Sequence, residues 1–442
     1  MPKHVRDSFD VCIVGLGYVG LTLATALAKS GLHVVGSEKN SDVHAQLSLG
    51  KPHFHENGLT EAYSEVFSDK TLEIHQDEHL PIASAYVITV GTPVRNEQVW
   101  LADLESALIQ VSNSMPEGAL IVLRSTVLVG TTSGLANGIL SNSGKKYLLA
   151  MAPERTLEGK ALEELSSLPQ IVGGINEEST NSCAELFGSL GVEIIRVSSP
   201  ETAELSKLAS NTYRDIQFAF ANEIAYASDK LGVDVQEVIK ACNENYPRMK
   251  MAKPGPVAGP CLEKDAYILQ ESLSGYGFSM DLTMAGRTTN ENISTHISDL
   301  VVKYLDNPSD SKFGILGVAF KGSPETSDTR GSMALPIARA LREKFGKSSI
   351  YGWDPLVSES DLISLGFSTC SLPEILSNVN ILILQTNHSY FSQNSFINDL
   401  NVMASSDLIV IDLWTQFNQK QIKDCRFKYV GLGSGGVLSG RK

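Results

Sequence analysis

Cys261 stands where a thiol can act as a nucleophile. It closes a loop rich in Gly and Pro, and Glu263-Lys264-Asp265-Ala266-Tyr267-Ile268-Leu269 reads as the start of a helix, so the sulfur lies near a helix N-terminus with Lys264 close by. The positive end of a helix and a neighbouring ammonium both lower a thiol's pKa and raise its thiolate fraction. Asp265, four residues on, projects to the same side. A buried structural thiol is the competing reading. Lys207, Asn211 and Asp215 recur every fourth residue along a second predicted helix and share one face, with Arg214 on an adjacent one. Lysine and asparagine so placed suit the stabilisation of an oxyanion. Polar residues on one stripe of an apolar helix are more often just its solvated side, and for these residues taken alone that reading outweighs the functional one.

A third constellation points to a phosphate ligand. Gly15-Leu16-Gly17-Tyr18-Val19-Gly20 follows the apolar run Val11–Val14 and opens a helical run, and Glu38 ends the next strand eighteen residues after the last glycine. In that setting Gly15 permits the tight turn, Gly17 lets a pyrophosphate reach backbone N–H groups, and Gly20 lets the helix sit close to the strand. The helix N-terminus then faces the phosphates. Glu38 offers a carboxylate to ribose hydroxyls and repels a 2′-phosphate, which favours NAD over NADP, with Lys39 beside it acting in the other direction.

The elements that must carry these residues follow from periodicity. Helix Leu21–Lys29, a stop at Gly31 and a strand at 33–36 complete a βαβ unit, and later apolar runs at 85–90, 119–123, 146–150 and 193–197 alternate with helical segments. Such alternation predicts a parallel, doubly wound sheet. From about Ser199 to Leu231 apolar residues recur at helical spacing with no internal Pro or Gly, which predicts one long helix. Shorter helices continue to about Tyr304, interrupted by the Pro/Gly-rich stretch Tyr246–Pro260. From Lys312 strands at 313–316, 349–351, 381–384, 408–411 and 428–430 again alternate with helices. The expected organisation is α/β: two Rossmann-like doubly wound parallel-sheet lobes joined by a central helical region with a long helix, divided at 1–198, 199–305 and 306–442. The second lobe opens with Gly314-Ile315-Leu316-Gly317-Val318-Ala319-Phe320 and lacks the glycine spacing of the first, so only the first is expected to bind a dinucleotide. The Gly/Ser-rich end, 433–442, is expected to fray.

Composition narrows the classes. The balance of 36 basic and 50 acidic residues gives −14, which disfavours nucleic acid or an anionic membrane as a partner. The apolar runs are far shorter than the roughly 18–20 residues of a spanning helix. The charged segment 1–10 lacks the apolar core of a signal peptide, so a cytoplasmic location is expected. Cys12, Cys183, Cys242, Cys261, Cys370 and Cys425 are scattered, with no metal-ligand spacing, and no metal is expected. Reduced thiols, most of them small core residues, fit this pattern.

Seven ordered segments carry a family resemblance: 14–20, Val90-Gly91-Thr92-Pro93, Arg124-Ser125-Thr126-Val127, Pro153-Glu154-Arg155 with Glu158-Gly159, Lys207-Leu208-Ala209-Ser210-Asn211-Thr212, Gly259-Pro260-Cys261-Leu262-Glu263-Lys264-Asp265, and Phe320-Lys321 with Asp328-Thr329-Arg330. In these the sequence resembles the UDP-glucose/GDP-mannose dehydrogenases over nearly its whole length. The resemblance implies an NAD-dependent, four-electron oxidation of a nucleotide sugar's C6 hydroxyl to a carboxylate. It implies Cys261 as nucleophile, Lys207 and Asn211 beside the reacting oxygen, Asp265 as the carboxylate orienting lysine and water, Glu154 as base for thioester hydrolysis and Thr126 as the partner of that water. On the cofactor side it implies Gly15, Gly17, Tyr18, Val19, Gly20, Glu38, Thr92, Thr126, Glu158, Lys264 and Arg330. On the substrate side it implies Arg155, Lys207, Asn211, Arg214, Arg248 and Lys321.

Tyr246-Pro247-Arg248, 253–259 and 211–215 resemble the branch acting on UDP-N-acetylhexosamines, although Pro260 precedes the cysteine where that branch usually has His. UDP-glucose and GDP-mannose are the alternative substrates. Two further readings stand beside this one: a two-electron 3-hydroxy acid dehydrogenase, which leaves Cys261 and the third section unexplained, and a catalytically inactive nucleotide-sugar-binding protein on the same scaffold. The apolar long helix also suggests a homodimer or a higher homo-oligomer.

Overall fold

The computed structural model describes residues 8–436 apart from 77–78, 258, 306–310, 347–348 and 424. The charged start at 1–7, the expected boundary at 305/306 and the last six residues lie outside the described residues. Two compact units emerge: the chain up to Ser210 together with Lys264–Met280, and Asn211–Glu263 together with the chain from Asp281 onward.

The first unit is built on ten strands: β1 Phe9–Val14, β2 Val34–Ser37, β3 Leu72–His75, β4 Ala83–Ile88, β5 Val94–Arg95, β6 Gln98–Val99, β7 Ala119–Leu123, β8 Tyr147–Met151, β9 Gln170–Gly174 and β10 Ile194–Arg196. Eight of them form one sheet in the order β10-β9-β8-β7-β4-β1-β2-β3. The central strands are apolar on both faces, as a sheet covered by helices on both sides requires. Six strands run parallel. β9 departs from the expected pattern by pairing antiparallel with β8, Ala150 opposite Gly174 and Met151 opposite Gly173, and β10 follows β9. The chain passes from β8 to β9 through a loop and the short helix Ala161–Leu165. β5 and β6 form a hairpin whose central residues Asn96 and Glu97 both have positive φ, the twist a two-residue hairpin demands.

The first glycine-rich turn leads into helix Tyr18–Lys29, three residues longer at its start than expected. The predicted long helix spans Pro200–Leu231, thirty-two residues, opened by a proline at its first position and closed by Gly232 at φ 74°. Lys207, Asn211 and Asp215 are buried on it, so the stripe is not a solvated face. Leu205, Tyr213 and Phe220 on the same helix are exposed.

The second unit carries a five-stranded, wholly parallel sheet in the order β12-β11-β13-β14-β15, with β11 Phe313–Leu316, β12 Ile350–Trp353, β13 Ile381–Leu384, β14 Ile409–Asp412 and β15 Lys428–Gly431. One face packs on helices Val235–Asn243, Ile293–Tyr304 and Ala334–Phe345 through Val235, Ile297, Val301, Ile315, Ile337 and Ile411. The segment expected to fray is fastened over 433–436. Gly433 and Gly435 donate to Asp229 near the end of the long helix, each at 3.2 Å, and the Val235 N–H donates to the Gly433 carbonyl at 2.9 Å. Glycine is what allows this approach, since a Cβ on Gly433 would meet Ala225 and Val235 at under 3 Å.

Candidate active site

In the first unit each glycine of the turn after β1 has a separate physical reason. Gly15 has φ 91°, and a Cβ on Gly20 would stand 1.9 Å from the Gly15 carbonyl oxygen. A Cβ on Gly17 would meet nothing within 4 Å, and its φ of −63° suits any residue. Protein packing therefore does not require glycine there, and the open ground before a helix N-terminus fits a dinucleotide's pyrophosphate. Glu38 directly follows β2 and accepts from Leu16 N at 2.9 Å and from Asn40 N at 2.8 Å. Lys39 is drawn to Asp103 at 2.5 Å. Val19 is half-buried.

The Tyr18 hydroxyl donates to Glu56, a buried carboxylate that sequence reasoning passed over. Glu56 also accepts from Gly159 N at 2.6 Å and Ala161 N at 2.8 Å. Burial, with Glu56 adding to it, pushes the Tyr18 hydroxyl far above its ordinary value. The pair ties the loop carrying Glu154, Arg155 and Glu158 to the start of the first helix.

After β4 and β7 the chain brings three predicted residues together. Thr92, buried, donates to the Thr126 carbonyl at 2.5 Å, and Lys264 Nζ donates to the Thr92 carbonyl at 3.0 Å and its hydroxyl at 3.3 Å. The next turn is anchored by Glu204, a second carboxylate the sequence did not single out. It accepts from Gly130 N at 2.6 Å, Thr132 N at 2.9 Å and the Thr132 hydroxyl at 2.6 Å.

Glu154 lies just beyond β8 and is 8% exposed. Its Oε2 accepts from Arg124 Nε at 3.0 Å and Nη2 at 2.6 Å, and its Oε1 from Arg155 N at 2.6 Å and Thr156 N at 2.7 Å. Burial pushes this carboxyl up, but Arg124, the Thr156 N–H and the charge of Lys207 together outweigh it and hold it below the usual carboxylate range. Lys207, Asp265 and Glu158 are buried in the same unit. Arg155 is exposed and reaches the Pro169 carbonyl at 3.3 Å.

In the second unit Cys261 is exposed, in the turn immediately before helix Leu262–Ser272. Its loop is pinned from several sides. Arg287 Nη1 donates to the Leu262 carbonyl at 3.0 Å and to Asp215 Oδ1 at 2.7 Å, and Nη2 to the Val257 carbonyl at 3.5 Å. Asn290 donates to the same Asp215 oxygen at 2.8 Å. Asn222 exchanges hydrogen bonds with both backbone groups of Gly255. Gly259 N donates to the Gly331 carbonyl at 3.1 Å, and a Cβ on Gly259 would collide with the Phe320 ring. Asn211 is buried and Arg214 exposed. Lys321 lies over the Phe320 ring at 5.3 Å, Arg248 over Tyr246 at 5.0 Å, and Arg330 pairs with Asp328 at 2.5 Å.

Of the other cysteines, Cys12, Cys183 and Cys425 are buried and Cys242 and Cys370 partly so. Burial pushes the Cys12 thiol up to about 12. Among the described residues no group of His, Cys, Asp and Glu could hold a metal ion, and no helix is long and apolar enough to cross a membrane.

Three models of one family match in order: the NAD binding domain of the UDP-glucose/GDP-mannose dehydrogenase family over residues 9–190, its central domain over 201–292 and its UDP binding domain over 314–419. A UDP-N-acetyl-D-mannosamine dehydrogenase from Pyrococcus horikoshii is 32% identical over 392 residues, covering 86% of this chain and 90% of that protein. The solved structure of UDP-N-acetylmannosamine dehydrogenase from that organism superposes with a TM-score of 0.86 at 30% identity over 96% of this chain and 99% of that one. A UDP-glucose dehydrogenase from Pyrobaculum islandicum superposes with a TM-score of 0.85 at 26% identity, covering 98% of this chain and 99% of that one.

Proposed function

The chain belongs to the UDP-glucose/GDP-mannose dehydrogenase family and is an NAD-dependent dehydrogenase of nucleotide sugars, and on that premise we propose that it oxidises the C6 hydroxyl of a UDP-N-acetylhexosamine to the carboxylate in two successive steps. The observation that carries this reading is Cys261: an exposed thiol at a helix start, on a loop held by a buried arginine network, while three other thiols are buried. The N-acetylhexosamine is favoured by the relative at 32% identity and by the segments around Tyr246 and Pro254. UDP-glucose is the second substrate reading, favoured by the Pyrobaculum structure.

Bound NAD supplies the hydride acceptor for each oxidation. Gly15, Gly17, Tyr18, Val19, Gly20, Glu38, Thr92, Thr126, Glu158, Lys264 and Arg330 are the residues that would hold it. Lys207 as an ammonium, with Asn211, stabilises the sugar oxygen as its proton leaves. An aldehyde carbon cannot give up a hydride until a nucleophile has added, and Cys261 adds to form a thiohemiacetal. Its oxidation leaves a thioester on Cys261. Water adds to the carbonyl carbon, the C–S bond breaks, and the sulfur leaves as thiolate. Glu154 is the carboxylate this release uses, Asp265 orients the lysine and the water, and Thr126 holds the water. Arg155, Arg214, Arg248 and Lys321 serve the anionic nucleotide sugar. We assign the division 1–198, 199–305 and 306–442 to cofactor binding, helical core and UDP binding.

The test incubates purified protein with NAD and, separately, UDP-N-acetylmannosamine, UDP-N-acetylglucosamine, UDP-N-acetylgalactosamine, UDP-glucose and GDP-mannose, and counts NADH per sugar consumed. Two NADH with an N-acetylhexosamine is the expected result. One NADH per sugar would remove Cys261 from the mechanism, and none with any sugar would favour a binding protein. The exposed stripe Leu205, Tyr213 and Phe220 supports a homodimer or larger oligomer through the long helix. Sedimentation as a concentration-independent monomer would refute that assembly.

A further inference from the structure

Arg124 took no part in the reading above, yet it is among the largest fully buried side chains of the molecule, 1% exposed at the end of β7. Every nitrogen of its guanidinium is committed. Nε and Nη2 both donate to Glu154 Oε2, and Nη1 donates to the Ala152 carbonyl at 3.1 Å and to Gln170 Oε1 at 2.9 Å. Gln170 is itself held, donating from Nε2 to the Pro153 carbonyl at 3.2 Å and the Ile171 carbonyl at 2.9 Å. The Phe187 ring lies under the guanidinium, 5.0 Å from Cζ to its centroid. Such a frame fixes the cation in place and in plane, and a fork of two N–H groups on one carboxylate fixes the partner as well.

We propose that Arg124 is a positioning residue of the hydrolytic half of the reaction: its forked contact keeps the buried Glu154 ionised and oriented, so that the carboxylate is available when the Cys261 thioester is released. The inference rests on the nucleotide-sugar reading and deepens it. In the step concerned, water oxygen bonds to the thioester carbon, the C–S pair returns to sulfur, and uronate, thiolate and two protons result. A neutral, buried Glu154 could neither take a proton nor offset the charge of Lys207. Arg124 itself touches no reacting atom.

The charged and titratable groups facing the pair are Lys207 from the long helix and the Cys183 thiol from helix Glu177–Gly188. Burial, opposed only by Arg124, keeps that thiol protonated well above neutral pH. Without its cation a buried Glu can be pushed up to a pKa of about 8–9.

The proposal predicts that Arg124→Met behaves as Glu154→Gln does. With NAD and UDP-N-acetylmannosamine, thioester release slows roughly 100-fold, and the adduct on Cys261 is seen as a mass increase of the intact protein. Raising the pH from about 6 to about 9 restores release in Arg124→Met, because Glu154 re-ionises, but not in Glu154→Gln or the double variant. The double variant is no slower than either single one. Arg124→Lys, which keeps the charge but not the fork, holds Glu154 ionised, so its slowed release shows no recovery between about pH 6 and about pH 9, and it guards against failure of the methionine variant to fold. A substrate-free arm measures the carboxyl stretch of 13C-glutamate-labelled protein by infrared difference against Glu154→Gln: no protonated Glu154 band in the wild type at neutral pH, and a titrating one in Arg124→Met. Release that is slow at every pH in a folded Arg124→Met, or no new infrared band in it, would overturn the proposal. Wild-type protein that makes no NADH from any nucleotide sugar would instead sink the substrate reading, leaving the infrared arm to decide Arg124.

Discussion

Among the described residues each unit holds an arginine at 1% exposure against a buried carboxylate, Arg124 with Glu154 at 2.6 Å and Arg287 with Asp215 at 2.7 Å, while Arg287 Nε also lies 3.3 Å from the more exposed Glu291. A buried ion pair is weak evidence of stability, because desolvation offsets the attraction, so the reason for each pair lies in what it holds. Arg124 gives its remaining donors to Ala152 and Gln170, which only brace the arginine, and its carboxylate faces a third charge, Lys207. Arg287 Nη1 and Nη2 also donate to the carbonyls of Leu262 and Val257, on either side of Cys261. Asp215 is closed off by Asn290. The same chemical device sets a charge in one unit and the position of a loop in the other.

Removing one partner should have the largest effect. Arg287→Met leaves Asp215 charged and buried, and should cost about 3–5 kcal/mol in urea unfolding, as breaking buried pairs does. Replacing both partners separates the two cases. Arg287→Met with Asp215→Leu should recover most of that stability while turnover stays low, because the Val257 and Leu262 carbonyls still lack their donor. Wild-type turnover in that double variant would refute a positional role for Arg287. Arg124→Met with Glu154→Leu should likewise recover stability, but with thioester retained on Cys261. Next in size is Cys261→Ser, which should stop the enzyme after at most one NADH per sugar without changing either pair; full turnover would remove the thiol from the mechanism.

Acid sharpens the contrast more gently. Glu154 has a lowered carboxyl, so its stabilising contribution is complete above the ordinary carboxylate range and is lost as pH falls through its folded value. Glu204 is pushed the other way, by burial with only N–H and O–H donors to oppose it, and therefore stabilises the fold increasingly as pH falls through its raised value. Chemical denaturation of Glu154→Gln from neutral to acid pH should show a flatter loss than wild type. An unchanged profile would mean that Arg124 is not what sets this carboxylate.

What the sequence disclosed and what it hid divide along the same line. The glycine turn, Glu38, the long helix and the helix start after Cys261 are local patterns, each written in residues within a few turns of one another. That β1, β2, β4, β7 and β8 run parallel followed from alternation in the same way. The Arg124–Glu154 pairing spans thirty residues, Arg287–Asp215 spans seventy-two, and Glu56 reaches Gly159 across one hundred and three. Nothing in local periodicity records them. β9 was not among the expected strands at all, and its reversal was hidden as well because an apolar five-residue strand reads alike in both directions. A glycine-rich tail suggested fraying, but glycine was needed for close approach to the end of the long helix.

The smallest effect on stability is also the most telling about the first turn. In the second unit the corresponding turn after β11 has Gly317 at φ 84°, and the N–H groups of Val318 and Ala319 both donate to Asp354 just after β12, at 2.7 and 3.0 Å. Those donors are committed within the chain. In the first unit Glu38 takes only Leu16 N from the turn, and a Cβ on Gly17 would enter open space with no backbone strain. Gly17→Ala should therefore leave unfolding within roughly 0.5 kcal/mol of wild type, as substitutions free of packing or strain do. NAD affinity, read by fluorescence titration, should nevertheless fall, because the methyl occupies ground the pyrophosphate needs. Gly20→Ala should lose both, since its Cβ meets the Gly15 carbonyl oxygen. Unaltered NAD affinity in a stable Gly17→Ala would mean that the phosphates do not lie over this turn, and the difference between the two lobes would need another origin.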